Sequence, residues 1–177
     1  MEPNHHLVSE TRALLAQLEG FLLQVSAEAY SAALPLLGGS TLGQHTRHIL
    51  EFYQCLSNGL SQGVVSYDRR KRDMRIETSA AYACQVMAEI QQQLPQLAQP
   101  MPLRLEVCYS PEPDTAPIVM DTYAQRELAY NFEHTIHHMA IIRMAATSEQ
   151  VGIQLSADFG MAPSTLQYLR LQARAAS

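Results

Sequence analysis

Apolar residues recur at three- and four-residue intervals in four long stretches of this chain, and each stretch predicts a helix with one buried face. Over residues 5–27 the stripe is Leu14, Leu18, Phe21, Leu22 and Val25. Residues 31–39 hold Pro35 and a Gly38-Gly39 pair, which predicts a loop. Thr41-x-x-Gln44 then has the spacing of a capping box and opens a second long helix ending between Asn58 and Gly63. On that helix His45, His48, Phe52 and Cys55 fall on one stripe. The third helix is capped by Thr78 or Ser79, carries Ala83, Val86, Met87, Ile90 and Leu94, and ends or kinks at Pro95.

The period then changes. Leu103, Leu105, Val107 and Tyr109 alternate with polar residues, which predicts a strand. Pro111-Glu112-Pro113-Asp114 supplies a turn, and residues 116–120 return as a partner strand, so a hairpin should pack on the helices. Asp121 or Thr122 is expected to cap the fourth long helix, with Thr122-x-x-Gln125 as its capping box and an end near Ala146. Phe159 to Pro163 reads as a loop leading to a short last helix, capped by Ser164-x-x-Gln167, with Leu166, Tyr168 and Leu169 as its contacts. The predicted architecture is all-α: a four-helix bundle over residues 1–177 as one domain, with a small β-hairpin inserted before the fourth long helix and a short C-terminal helix.

Composition narrows the classes. A 177-residue chain that is 47% hydrophobic can bury a core, and its net charge of −5 argues against binding nucleic acid by general electrostatics. The segment 64–78 holds five of the twelve Lys and Arg residues, which reads as a solvated loop or as one whose arginines border a pocket for an anion. The start lacks the basic and apolar regions of a signal peptide, and no apolar run approaches the ~18 residues needed to cross a bilayer. Three widely spaced cysteines, Cys55, Cys84 and Cys108, predict reduced thiols and a cytoplasmic protein. Met139 and Met144 read as packing residues, and an apolar stripe left exposed on the first or third helix would pair two chains as a homodimer.

The chemistry concentrates in histidine. His134, His137 and His138 lie within five residues on the fourth helix, and His134 and His138, four apart, point the same way. That spacing lets two imidazoles share one metal ion, although histidines without any ligand can show it too. His45 and His48 supply inward histidines from a second helix, which makes a three-His site plausible. A di-iron carboxylate site needs Glu-x-x-His motifs on facing helices, and the only such spacing is Glu2 to His5 at the terminus. Cys55 stands about 10 Å along the helix from His48, too far to share an ion. Asn131 and Glu127 precede His134 on the same side of the helix; they could orient a ligand or relay a proton, or simply bond their neighbours. Tyr67 and Arg72, on the loop joining the second and third helices, are further pocket candidates.

Gly43-Gln44-His45-Thr46-Arg47-His48-Ile49-Leu50-Glu51-Phe52-Tyr53 resembles the first histidine motif of DinB/YfiT-like proteins, a family unrelated to the DNA polymerase once given that name. His134-Thr135-Ile136-His137-His138 resembles their second motif. Tyr67-Asp68-x-Arg70-x-Arg72-Asp73, and the closing run Asp158 to Thr165, resemble a subset of the family, so the likeness spans about residues 40–170. It implies a divalent metal ion, zinc or nickel, held by His48, His134 and His138, with His45 and His137 behind or beside the ligands. The family pattern continues with Arg-Gly-Gln where this chain has Met139-Ala140-Ile141. The implied function is a metal-dependent enzyme that activates water or a thiol, a hydrolase or thiol-dependent transferase acting on a small molecule. The alternatives are a non-enzymatic metal-binding or stress-related module and a dimeric scaffold without metal.

Overall fold

The computed structural model of the protein describes residues 3–112 and 114–175; Glu2 of the terminal Glu-x-x-His spacing and the turn residue Pro113 lie outside the described residues. In chain order it has α1 (Pro3–Leu22), α2 (Ala27–Ser31), α3 (Leu42–Gln62), β1 (Val64–Val65), α4 (Met74–Thr78) and α5 (Ala80–Leu97). There follow β2 (Pro102–Val107), β3 (Ile118–Tyr123), α6 (Ala124–Ala146) and α7 (Pro163–Ala175). The protein is mostly helical, but it is not all-α, because the expected hairpin is part of a three-stranded sheet in the order β1-β2-β3.

The long helices form where the pattern placed them. Thr41 and Gln44 make the full capping box at the start of α3. The stripes of α1, α3, α5 and α6 meet in one core that includes Leu18, Phe21, Leu50, Met87, Leu94 and Leu128. The apolar stripes of α1 and α5 are buried there.

The departures have local physical causes. The first helix stops at Leu22, and Ser26 caps a separate short helix whose Tyr30 is fully buried and donates its hydroxyl to the Ile76 carbonyl at 2.7 Å. Ser79 caps α5, and Pro95 does not end it but sits in its last turn. The Gln91 carbonyl, which a proline at 95 cannot engage, accepts from the Arg12 guanidinium at 3.5 Å. The expected cap of the fourth long helix is absent: Asp121 and Thr122 lie in β3, and Tyr123 precedes the helix with no side-chain cap. The first amides of α6 are satisfied instead by backbone, with Ala124 N–H donating to Met101 O at 2.9 Å and Gln125 N–H to Gln99 O at 3.2 Å. The last helix opens at Pro163, not at a Ser164 cap, and buries none of its residues; Tyr168 and Leu169 are exposed where contacts were expected. It is the loop before α7 that docks, with Phe159 buried edge-on against Phe21 at 6.3 Å between centroids.

The largest difference concerns residues 64–78, which are not a solvated loop. Val64 and Val65 pair in parallel with Arg104 and Leu105 of β2. Glu51, buried inside α3, accepts from the Asp73 amide at 2.9 Å and from Arg70 Nε at 3.2 Å, so the segment is drawn down onto α3. Arg47 bridges to Glu77 from the same helix. Gly43 makes this closure possible, because a Cβ there would overlap the backbone carbonyl of Glu77. Gly43→Ala should therefore destabilise the fold by about 1–3 kcal/mol, through enforced separation of α3 from α4. A urea midpoint equal to that of the parent protein would show that the two helices do not pack this closely.

Candidate metal centre

Three imidazoles converge between α3 and α6. The ligand-capable nitrogens of His48, His134 and His138 lie within 4.8 Å of one another, and all three side chains are half-buried. His48 Nε2 and His134 Nε2 are 2.8 Å apart, while the ring centroids of His48 and His138 are 4.5 Å apart. The convergence comes from helix geometry. His134 and His138 stack one turn apart on α6, and the facing turn of α3 inserts His48 between them.

The axial register of the two helices is held by buried hydrogen bonds on the core side. Tyr53 and Thr135 share a hydroxyl–hydroxyl bond at 2.9 Å, and Asn131 Nδ2 donates to the Phe52 carbonyl at 3.2 Å. On the other flank, the Phe52 ring stacks on His134 at 4.4 Å and on Tyr67 at 4.6 Å. Tyr130 stacks on His134 at 5.6 Å and keeps one face exposed. The Arg70 guanidinium lies over the Phe52 ring at 5.7 Å, anchored by Glu51 and the Tyr67 carbonyl.

These surroundings keep the imidazoles neutral. Burial, reinforced by Arg70 and the neighbouring rings, lowers His48 to about 4. Burial and the four other nearby histidines lower His138 to about 3. His134 and His45 are lowered as well, each first by burial and then by His137. Neutral, lone-pair-bearing imidazoles are the form a divalent cation requires, so the donor set fits such an ion. Among the described residues, no acidic side chain joins the cluster of three.

The other expected residues take varied places. His45 Nδ1 lies 3.0 Å from His138 Nδ1, so His45 can accept the His138 Nδ1 proton and leave the remaining nitrogen of His138 as the lone pair. His137 is exposed, its ring 5.3 Å from that of His138. Glu127 is fully buried and already engaged: it accepts from the Tyr67 hydroxyl at 2.9 Å, from Thr122 at 2.6 Å and from Arg126 at 2.8 Å. Burial, with the charge of Glu127, raises the Tyr67 pKa, so Tyr67 stays a phenol. Asn131 is buried with its amide nitrogen on Phe52 and its Oδ1 unpaired. Neither Asn131 nor Glu127 bonds a histidine; both act on the site through Phe52 and Tyr67. Arg72 is exposed, and the arginine of that segment that reaches the site is Arg70.

Sequence reasoning missed Arg70, Glu51, Phe52 and Tyr130 as site residues. Phe52 and Glu51 stand four and three residues after His48, on and beside its stripe, which was a usable signal. Nothing local distinguishes Arg70 from its four basic neighbours. A cleft of about 690 Å³ lies on the far side of this wall, between α3, α5 and the 66–73 segment. Glu51, Cys55 and Arg70 line it, and none of the histidines does. Burial pushes the Cys55 thiol up to about 11, so it is no ready nucleophile there.

Comparison with known proteins adds little to this geometry. No family model matches the chain, and no solved structure matches it. Among curated proteins it is similar to FK506-binding protein 5 of Rhizopus delemar, at 30% identity over 112 residues. That alignment covers 62% of this chain and only 28% of the relative.

The shifted imidazoles carry a pH signature. Each binds a proton less readily in the fold than in the unfolded chain, so stability is full above about 6.5 and is lost as pH falls, toward about 4 for His48 and about 3 for His138. In the presence of a chelator, the thermal midpoint should drop across that window, and the drop should be shallower in His138→Leu. Parallel pH profiles for the two proteins would refute the assigned shifts.

Proposed function

We propose that this chain is a metal-dependent protein of the DinB/YfiT-like four-helix-bundle type, with a divalent ion, zinc or nickel, held by His48, His134 and His138. The observation that carries the reading is the approach of three neutral imidazole nitrogens from two helices to within 4.8 Å of one another. The four long helices and the order of the two histidine motifs support the bundle reading.

When bound, such an ion supplies Lewis acidity that lowers the pKa of water or a thiol toward neutrality. The protein's own part is to hold and position. With Nδ1–H of His138 donating to Nδ1 of His45, the hydrogen bond between them would fix the His138 tautomer with its Nε2 lone pair free. Phe52 and Tyr130 cover the His134 ring with aromatic surface and exclude water from that side. Arg70 places a fixed positive charge beside the histidines, which discourages their protonation and favours an anionic or polarised small substrate. On this reading the protein is a hydrolase or a thiol-dependent transferase acting on a small electrophile.

One observation favours a second reading, a metal-binding module without catalysis. Glu127 is committed to Tyr67, Thr122 and Arg126, away from the histidines, so it is not poised there as a general base. An ion would acidify a bound thiol or a bound water without such a base, so the hydrolase and the transferase both remain open to the site.

Untagged protein should carry about one equivalent of zinc or nickel by elemental analysis. His48→Ala should lose at least ~10-fold in metal affinity while keeping the parent far-ultraviolet circular dichroism. Metal-free untagged protein that shows no thermal shift on adding zinc or nickel would end the proposal.

A further inference from the structure

β3 is the outer strand of the sheet, paired with β2 on one side only. It is six residues long and apolar on both faces: Ile118 and Met120 on one, Val119 and Tyr123 on the other, each between 41% and 54% exposed. Proteins usually guard such an edge with lysines, an internal proline or a bulge. β3 has none of these, and its one charge, Asp121, already pairs with Arg104 of β2 at 3.4 Å.

The ladder shows which main-chain groups are free. Ala124 N–H donates to Met101 O, the rung following the Tyr123–Pro102 pair. Hydrogen-bonded and non-bonded pairs alternate in an antiparallel ladder, and Pro102 has no N–H to give, so the Tyr123–Pro102 pair is a non-bonded one. Tyr123, Asp121 and Val119 therefore aim their N–H and C=O groups at the open edge, while Thr122, Met120 and Ile118 aim theirs at β2.

We infer that β3 pairs with β3 of a second copy of this chain about a two-fold axis, forming a continuous six-stranded sheet. Antiparallel partners opposite one another share a face, so a symmetric pairing must be centred on one residue and its own copy. Centring on Asp121 would set two carboxylates directly opposite, which is unfavourable. Centring on Met120 removes that clash. It sets Val119 against the partner's Asp121 as a bonded pair, giving roughly four main-chain hydrogen bonds across the axis.

The same pairing makes sense of the side chains. Met120 and Ile118 share the face of Leu105 and Val107, which packs over Phe52, Val65 and Tyr67. The partner's strand extends that apolar layer by its own Met120. The assembly also stops at two, because the remaining edges of the joined sheet are the two-residue β1 strands, where Val65 is 1% exposed. A peptide from another protein would satisfy the edge hydrogen bonds, but would supply neither this symmetry nor this closure.

Sedimentation equilibrium on the full chain tests the inference, with metal content measured in parallel because dimerisation here does not depend on the metal site. The parent protein should be a dimer, and Val119→Pro a folded monomer, since its ring removes an outward N–H and blocks the partner. Met120→Cys should form an interchain disulfide on mild oxidation that the parent protein, with its three native cysteines, does not form. The two Cα atoms would be about 4.5 Å apart as a non-bonded pair. If Val119→Pro fails to fold, the Met120→Cys crosslink decides. A monomeric parent protein at high micromolar concentration, a folded Val119→Pro that remains dimeric, or no crosslink through Met120→Cys would each overturn the inference.

Discussion

The hydrogen bonds that cross from α3 to α6 set the position of everything functional in this molecule. Tyr53 reaches Thr135, and Asn131 reaches the Phe52 carbonyl, both where water is excluded. A buried hydroxyl or amide that lost its partner would stand uncompensated, so the two helices cannot slide past one another freely. One helical turn is about 5.4 Å, longer than the whole spread of the three imidazole nitrogens. The polar pairs on the core side thus act as a ruler for the histidines on the outer side. Hydrophobic stripes alone would hold the helices together without specifying that register.

A second layer of constraint sits around Glu51. Its carboxylate, inside α3, gathers Arg70 and the Asp73 amide, and through them the whole 66–73 segment. A buried charge is tolerated only when it is paired and hydrogen-bonded, and here the partners come from chain that would otherwise be a surface loop. The consequence reaches the histidines. Arg70 lies over Phe52, and its positive charge adds to burial, the main cause, in keeping His48 and His134 deprotonated at neutral pH. The same fold device that closes the structure also places a positive charge beside the histidine cluster.

The sheet plays two roles on its two sides. Toward the helices, Leu105 and Val65 close a small cluster around Phe52 and Tyr67, and that cluster backs the stacked rings beside His134. Toward solvent, β3 presents apolar side chains and free main-chain groups. The aromatic wall of the histidine site and the open edge therefore lie on the two sides of β2, whose Leu105 packs on Phe52 and pairs with Met120.

By itself the sequence determined the four long helices, because their periodicity and caps are local, and the placing of His134 with His138, because a four-residue step on a helix is geometry. It also singled out His48 through its motif. The hairpin was legible from its alternation, but its extent was not: β3 runs to Tyr123 because the Met101 and Gln99 carbonyls satisfy the amides that Asp121 or Thr122 would have capped. Tertiary structure alone decided which of five clustered basic residues turns inward, since Arg70 is chosen by Glu51, a residue nineteen positions earlier. It alone turned Glu127 from a free carboxylate into one held by three donors, because Tyr67 and Thr122 come to it from separate elements. And it alone spent the stripes of α1 and α5 in the core and left the edge of β3 bare, because which apolar surface remains uncovered is known only when every other one has found its partner.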